Sequence, residues 1–424
     1  DILRKRPEGD TLRTVLTVKG DWFFNLLRSR AGIEEFNNWF SEYIDEHKFR
    51  TVNITDFNND IRTKFGFEFY PLLMDWFTGK SQPGFSFSDF RVSEIVVGDR
   101  SRYQVTFTVS NNEQAPGIFN ISFRTGGPGG RQGGGNEFMG AGREQFSIAT
   151  QGRGMGASDA SRIVYMNAKG VKRIGILLDY QPRAMMINTL YSLNVPGQIM
   201  MPAPELTRAK GNIKPFEGEE LLPVIPEDKV TSEIIVDNED SGFSSGTPHP
   251  ASPLRKLLGK GNNQANTYET ISYWGVPEYW QPVISNNYYG KYILSSVYTR
   301  SGKGERSISW KTWIGKPGYY DVYCYIGKAI NRGFRGGPGA GRQMAQGGPG
   351  GQGREAEQVF KDMHYKVYHD EGTEDVTLDY ENADGGWYSL GRFYFSKDSA
   401  RVELTNQSTG RMVIGDAVKW VRQE

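Results

Sequence analysis

The residues that could do chemistry in this chain are few, and they point to binding more than to catalysis. Hydrolysis on zinc needs two imidazoles one helical turn apart plus a carboxylate, the arrangement that HExxH supplies. The four histidines, His47, His249, His364 and His369, form no such motif. His364 and His369 are five apart in HYKVYH, a strand-like stretch that sends them to opposite faces. Cys324 is the single cysteine and has no internal disulfide partner. No catalytic residue and no zinc ligand is therefore assigned within the chain. What remains are aromatic platforms and oxygen-rich groups. Tyr273, Trp274, Tyr279 and Trp280 crowd the segment YWGVPEYW, and Tyr319, Tyr323 and Tyr325 alternate with Tyr320, Val322, Cys324 and Ile326. One face of that strand is core; the other is either a binding platform or packs beneath an inserted loop. Trp310, Trp387 and Trp420 are expected in the core. Asp237, Asn238 and Asp416 are candidates for a calcium site or for structural bonds to buried backbone amides.

Those side chains need a scaffold, and length bounds it. At 424 residues the chain calls for about two to four domains. With 52 glycines and 20 prolines it favours β structure with long irregular connections. A net charge of +1 gives no global field to attract nucleic acid or an anionic membrane. No run reaches the roughly 18 to 20 apolar residues that span a bilayer. The chain begins at Asp1 without a methionine and enters helical sequence almost at once, so we expect a fragment or a processed product.

Taken in order, residues 1–84 read as a short helical segment. Asp21 is a plausible N-cap, Phe36, Phe40 and Tyr43 recur at helical spacing, and Thr55 or Asp56 could cap a further helix over 57–65. Residues 85–204 read as a β-sandwich in which RYQVTFTVS turns through NNEQAPG into IFNISFR as a hairpin. A proline-rich connector follows over 205–230. Residues 231–424 read as a second, jelly-roll-like sandwich closing on three strands, 387–395, 401–406 and 411–421. Two GGPG-bearing tracts, 125–157 and 332–354, interrupt the sandwiches as insertions. Their arginines also permit an RGG-like contact with RNA, but they are sparse and lack interleaved aromatics, so no nucleic-acid partner is expected. The fold class is thus multi-domain and mainly β: helices, then two β-sandwiches.

Two family resemblances rest on these stretches. Phe36, Phe40, Tyr43, Phe49, Asp56, Phe57, Trp76, Phe77, Pro83 and Phe85 stand where the last helices of the catalytic region of M1-type zinc aminopeptidases run into a β domain. The resemblance implies a parent whose zinc, if it has any, is held upstream of Asp1. The second covers the C-terminal half. The order EIIVDNEDSGFS, YYGKYILSSV, SISWKTWIGKPGYYDVYCYI, MHYKVYHDEGTEDVTLDY, GGWYSLGRFYF, ARVELTN and MVIGDAVKW resembles the golvesin and xanthan-lyase-type C-terminal sandwich. In it Gly415 replaces the usual Ala before DAV. That resemblance implies a non-catalytic, carbohydrate-binding-like accessory domain. Together they suggest the C-terminal region of a bacterial M1-peptidase-like cell-envelope protein, extracytoplasmic in the periplasm or at the cell surface. Its partner is expected to be polysaccharide or an envelope protein, and the parent could be membrane-associated. Two alternatives stay open: part of an active zinc aminopeptidase, or a structural subunit docking through its glycine-rich loops.

Overall fold

A computed structural model describes residues 9–78, 81–125, 160–207, 214–223, 233–245, 268–272, 275–328, 359–396 and 398–423. Apart from Thr125, both glycine-rich tracts lie outside these described residues, as do His249, Tyr273 and Trp274. The chain is mainly β and divides into two compact units, Asp1–Val224 and Ile225–Glu424.

The first unit opens with helices α1 (Gly9–Ala31), α2 (Ile33–Glu46), α3 (Ile54–Phe65) and α4 (Tyr70–Thr78). Helix α1 begins well before Asp21, which therefore sits inside it; the Asp21 carbonyl accepts a bond from Asn25 instead of the side chain capping a terminus. At α3 the cap is Asn53, not Thr55 or Asp56: its side chain accepts the Asp56 N–H at 2.8 Å, and Gly66 closes the helix at φ 74°. Replacing Asn53 by Ala should cost about 1 kcal/mol of stability, read as a lowered midpoint in urea unfolding.

Nine strands follow: β1 (Phe85–Val97), β2 (Arg100–Asn111), β3 (Gly117–Thr125), β4 (Ala160–Met166), β5 (Gly170–Leu178), β6 (Pro182–Asn188), β7 (Gln198–Pro202), β8 (Leu206–Thr207) and β9 (Gly218–Leu222). They form two sheets, ordered β8-β1-β2-β5-β9 and β4-β3-β6-β7. The expected hairpin does not form, because β2 and β3 belong to opposite sheets. Their alternating apolar residues explain why: Val105, Phe107 and Val109 meet Phe119, Ile121 and Phe123 across one core. Buried Asn111 holds the crossing, donating to the carbonyls of Ala115 and Asn167 and accepting the N–H of Gly84. The outer face of β3 and β4 gives Ile118 and Ile163 to a second core with Leu26, Leu27, Phe36 and Ile61 of the helices. Part of the expected connector is also structured: Leu206 pairs with Val92 and Leu222 with Val171, so both sheet edges gain a short strand.

The second unit contains β10 (Glu233–Val236), β11 (Phe243–Ser245), β12 (Gln281–Ile284), β13 (Ser295–Arg300), β14 (Ser307–Trp313), β15 (Gly318–Ile326), β16 (Asp362–His369), β17 (Gly372–Asp379), β18 (Gly386–Phe395), β19 (Ser399–Thr405), β20 (Met412–Gly415) and β21 (Val418–Arg422). Sheets β10-β21-β15-β18 and β11-β14-β19-β16-β17 enclose a core built on Trp310, Trp420, Tyr365, Val322 and Leu404, and β12-β13-β20 forms a third, small sheet. The last expected strand is split in two at Asp416 and Ala417. There the chain leaves β13 for β15, and the two carbonyls turn to Trp310 Nε1 and to the Tyr325 N–H. The glycine before this step is forced by packing: a Cβ on Gly415 would lie 2.5 Å from Ile308 Cδ1 and 2.8 Å from Leu404 Cδ2.

Candidate functional site

Strand β15 decides which aromatics can meet a ligand. Tyr320, Val322, Cys324 and Ile326 are buried, so the period of two turns Tyr319, Asp321, Tyr323 and Tyr325 outward. Pairing with β18 sets Tyr394 beside Tyr319, Arg392 beside Asp321 and Trp387 beside Tyr325. Pairing with β21 sets Lys419 beside Tyr323. The outer face therefore carries a run of rings about 20 Å long, from β15's roughly 3.3 Å rise per residue.

The rings hold each other at defined angles. Tyr319 meets Tyr394 edge-on at 5.4 Å between centroids, Tyr325 meets Trp387 at 5.2 Å, and Tyr289, from the loop between β12 and β13, reaches both Tyr325 (5.5 Å) and Trp387 (5.2 Å). Polar groups sit between them. Arg392 grips Asp321 at 2.7 and 3.1 Å, and Lys419 bonds Glu233 while its ammonium lies 4.5 Å over Trp387 and 5.4 Å from Tyr323. Tyr319 is 54% exposed. Trp387 is half-buried on this face and not in the core, because its strand neighbour Tyr325 turns outward at the same register.

The segment YWGVPEYW behaves differently. Trp280 is 4% exposed and packs in the core with Val276, so it cannot serve as a platform. Tyr279 is half-buried. Tyr273 and Trp274 fall outside the described residues.

Beneath the ring cluster lies a pair of carboxyl groups. Strands β10 and β21 are hydrogen-bonded neighbours, so Asp237 at the end of one and Asp416 at the start of the other come together. Both are buried, at 6% and 3% exposure. Burial pushes the Asp237 carboxyl up to about 8; the charges of Asp240 and Glu239 add to the rise, and a backbone bond from Asn238 opposes it. Burial, then the charge of Asp237, raises Asp416 well above the usual carboxylate range, against the Tyr289 N–H that donates to Asp416 Oδ2 at 3.1 Å. Asp416 Oδ1 has no hydrogen-bond partner. Asn238 donates to Ser295 Oγ, which donates to Glu239; Asp240 accepts the Asp237 N–H. Calcium takes six to eight oxygens. Among the described residues no group of three acidic, His or Cys side chains is placed to hold a metal ion.

The remaining candidates sit elsewhere. His364 Nε2 bonds Asp362 at 2.7 Å, whereas the ring of His369 lies 4.8 Å from that of Phe393. Cys324 is buried and burial raises its thiol to about 12, so the folded chain should resist thiol reagents. Disulfide-exchange labelling should modify Cys324 only at the rate of unfolding; fast labelling of the native chain would contradict that placement. In the first unit a cleft of about 1210 Å³ lies between the junction of α1 and α2 and strands β3 and β4. Arg162 and Lys172 both engage Glu219 there, and Arg28, Arg30, Glu34 and Glu35 complete its charged lining.

Comparison with known proteins places the terminal strands. Residues 354–422 match the golvesin C-terminal domain. No curated protein matches the chain. Among solved structures, a xanthan lyase of Paenibacillus is similar at 13% identity, over 81% of this chain and 26% of that one, with a TM-score of 0.29. A GH26-CBM35 β-(1,4)-mannanase of Podospora anserina is similar at 10% identity, over 45% of this chain and 28% of that one, with a TM-score of 0.23. A Paenibacillus cycloisomaltooligosaccharide glucanotransferase is similar at 13% identity, over 36% of this chain and 19% of that one, with a TM-score of 0.19. The chain thus spans under a third of each of these proteins. The golvesin-like sandwich contains β16 to β21, and with them two of the strands that carry the ring face and the Asp416 carboxyl.

Proposed function

We propose that the golvesin-like sandwich is a non-catalytic accessory domain that binds polysaccharide on the outer face of β15 and β18. The observation that carries this reading is the run Tyr319, Tyr394, Tyr323, Tyr325, Trp387 and Tyr289, interleaved with Asp321, Arg392 and Lys419. Sugar rings present apolar C–H faces bounded by hydroxyls. Half-buried and exposed aromatic rings next to fixed charged donors and acceptors match both parts. The names of the matched family and of the carbohydrate-active proteins above are consistent with such a role. The buried pair Asp237 and Asp416 is a protonated structural pair in this reading, with calcium as the outcome a titration would reveal.

The test is retention of the whole chain on a glycan array that includes neutral barley β-glucan and anionic xanthan. Binding to either supports the reading; binding to no glycan on the array contradicts it. The wider setting in this proposal is an extracytoplasmic envelope protein. An M1-peptidase-like parent rests on the resemblance over residues 36–85 and is tested by reading the sequence upstream of Asp1 for HExxH.

A further inference from the structure

The other large sheet of the C-terminal unit, β11-β14-β19-β16-β17, has an outer face that the ring cluster does not use. On β14 the side chains of Ile308 and Trp310 enter the core, so Lys311 and Trp313 turn outward. Register sets Trp313 opposite Ser399 and Lys311 opposite Arg401 of β19, and Arg401 in turn opposite Tyr368 of β16. Trp313 is 60% exposed, and among the described residues no other aromatic ring packs on it. Lys311 and Arg401 are like charges facing each other across about 5 Å, a pairing that destabilises a sheet unless something offsets it. The offset is incomplete. Glu403 accepts bonds from Arg401 Nη2 and from the Tyr368 hydroxyl, but Arg401 Nε stays unpaired. The guanidinium is fixed in place 4.6 Å from the centre of the Tyr368 ring. Asp375, the other acid on this face, is taken by Lys366 at 3.5 Å. Lys311 has no carboxylate partner among the described residues, so one positive charge is left over beside an open indole.

We propose that the outer face of β14 and β19 is a second binding face, separate from the rings of β15 and β18, and that it takes a polysaccharide bearing uronate carboxylates. Trp313 stacks on a sugar ring, and Lys311 with Arg401 receives the carboxylate. The two β14 residues are one full pleat apart, about 7 Å along the strand, a separation that adjacent sugars of one chain span. Charge complementarity selects this class of ligand. A carboxylate between Lys311 and Arg401 relieves their repulsion, which a neutral glycan cannot do. A nucleic acid carries a charge at every link and needs a longer track of free cations, whereas here a single unbalanced charge stands next to a flat apolar ring.

The test is the affinity of the whole chain for polygalacturonate, measured beside its methyl ester and beside polyglutamate. We expect polygalacturonate to bind, with the methyl ester weaker by about tenfold because it has lost its charge. Trp313→Ala and Lys311→Gln should each lower the affinity for polygalacturonate by about tenfold. Both side chains are exposed, so the melting temperature should stay where it is. Trp387→Ala, on the ring face, should leave this affinity unchanged. No binding of polygalacturonate, equal binding of its methyl ester, or wild-type affinity in Trp313→Ala overturns the proposal. Polyglutamate bound as tightly as polygalacturonate also overturns it, since the face would then be a general cation patch. A loss of polygalacturonate binding in Trp387→Ala but not in Trp313→Ala overturns it in favour of the ring face. Failure of the ring face to bind any glycan leaves the Trp313 and Lys311 results standing, so the two readings fail separately.

Discussion

Raising the pH from about 4 to about 8 should destabilise the C-terminal unit by on the order of 5 kcal/mol. The sign follows from the carboxyl group of Asp237, which ionises near 3.8 when exposed and near 8 when folded. Between those values the native state holds a proton that the unfolded chain has released, so stability falls as pH rises. The contribution is fully present below the unfolded value and is lost once pH passes the folded one. At about 1.4 kcal/mol per pH unit, Asp237 alone accounts for that magnitude, and Asp416, raised by the same burial, extends the trend in the same direction. Hydrogen exchange at the amides of β15 and β21 should therefore quicken across this range. Asp416→Asn keeps an acceptor for the Tyr289 N–H while removing one ionisable group. It should shallow the slope and raise stability at pH 8. Calcium should give no protection that a chelator removes. A flat pH profile, or a melting temperature that rises with added calcium, would contradict the protonated pair.

The second large effect separates binding from folding. Trp387 sits beside Tyr325 at one end of the ring run and is half-buried, whereas Trp280 is in the core. Trp387→Ala removes a stacking surface and the neighbour of both Tyr325 and Tyr289. We expect a loss of about 2 kcal/mol in binding, or roughly thirtyfold in affinity for the retained glycan, with a small change in melting temperature. Trp280→Ala opens a cavity beside Val276 and should cost about 3 to 5 kcal/mol of stability while sparing affinity in the fraction that remains folded. If the two variants exchange these phenotypes, the assignment of platform and core is wrong.

Much of this arrangement was legible in the residues. The alternation in GYYDVYCYI separates Tyr319, Tyr323 and Tyr325 from an apolar set, and a strand with one apolar set has only one way to face a core. The order of strands also suggested that Asp237 and Asp416 lie near each other, because the first and last strands of such a sandwich are neighbours; their role is a separate matter. Four features were not legible. Strand β18 carries a bulge opposite Val322 and Tyr323, which shifts its alternation and hid Trp387 among expected core residues. Trp280 looked like a platform because tryptophan suits both settings, and its burial depends on partners distant in sequence. The false hairpin at NNEQAPG arose because local pattern identifies strands but not the sheet each joins; long-range packing of Phe107 against Phe119 decides that. Tyr289 drew attention only through a YG pattern, and nothing local announces that its N–H reaches a carboxylate 127 residues away.

The most direct measurement of the central claim maps the contact itself. With the chain saturated by the glycan retained most strongly on the array, backbone and indole NMR shifts should change at Tyr319, Tyr323, Tyr325 and Trp387 and in the loop at Tyr289, and remain unchanged at Trp280 and Trp420. Perturbations confined to other surfaces, with the outer face of β15 and β18 silent, would contradict it.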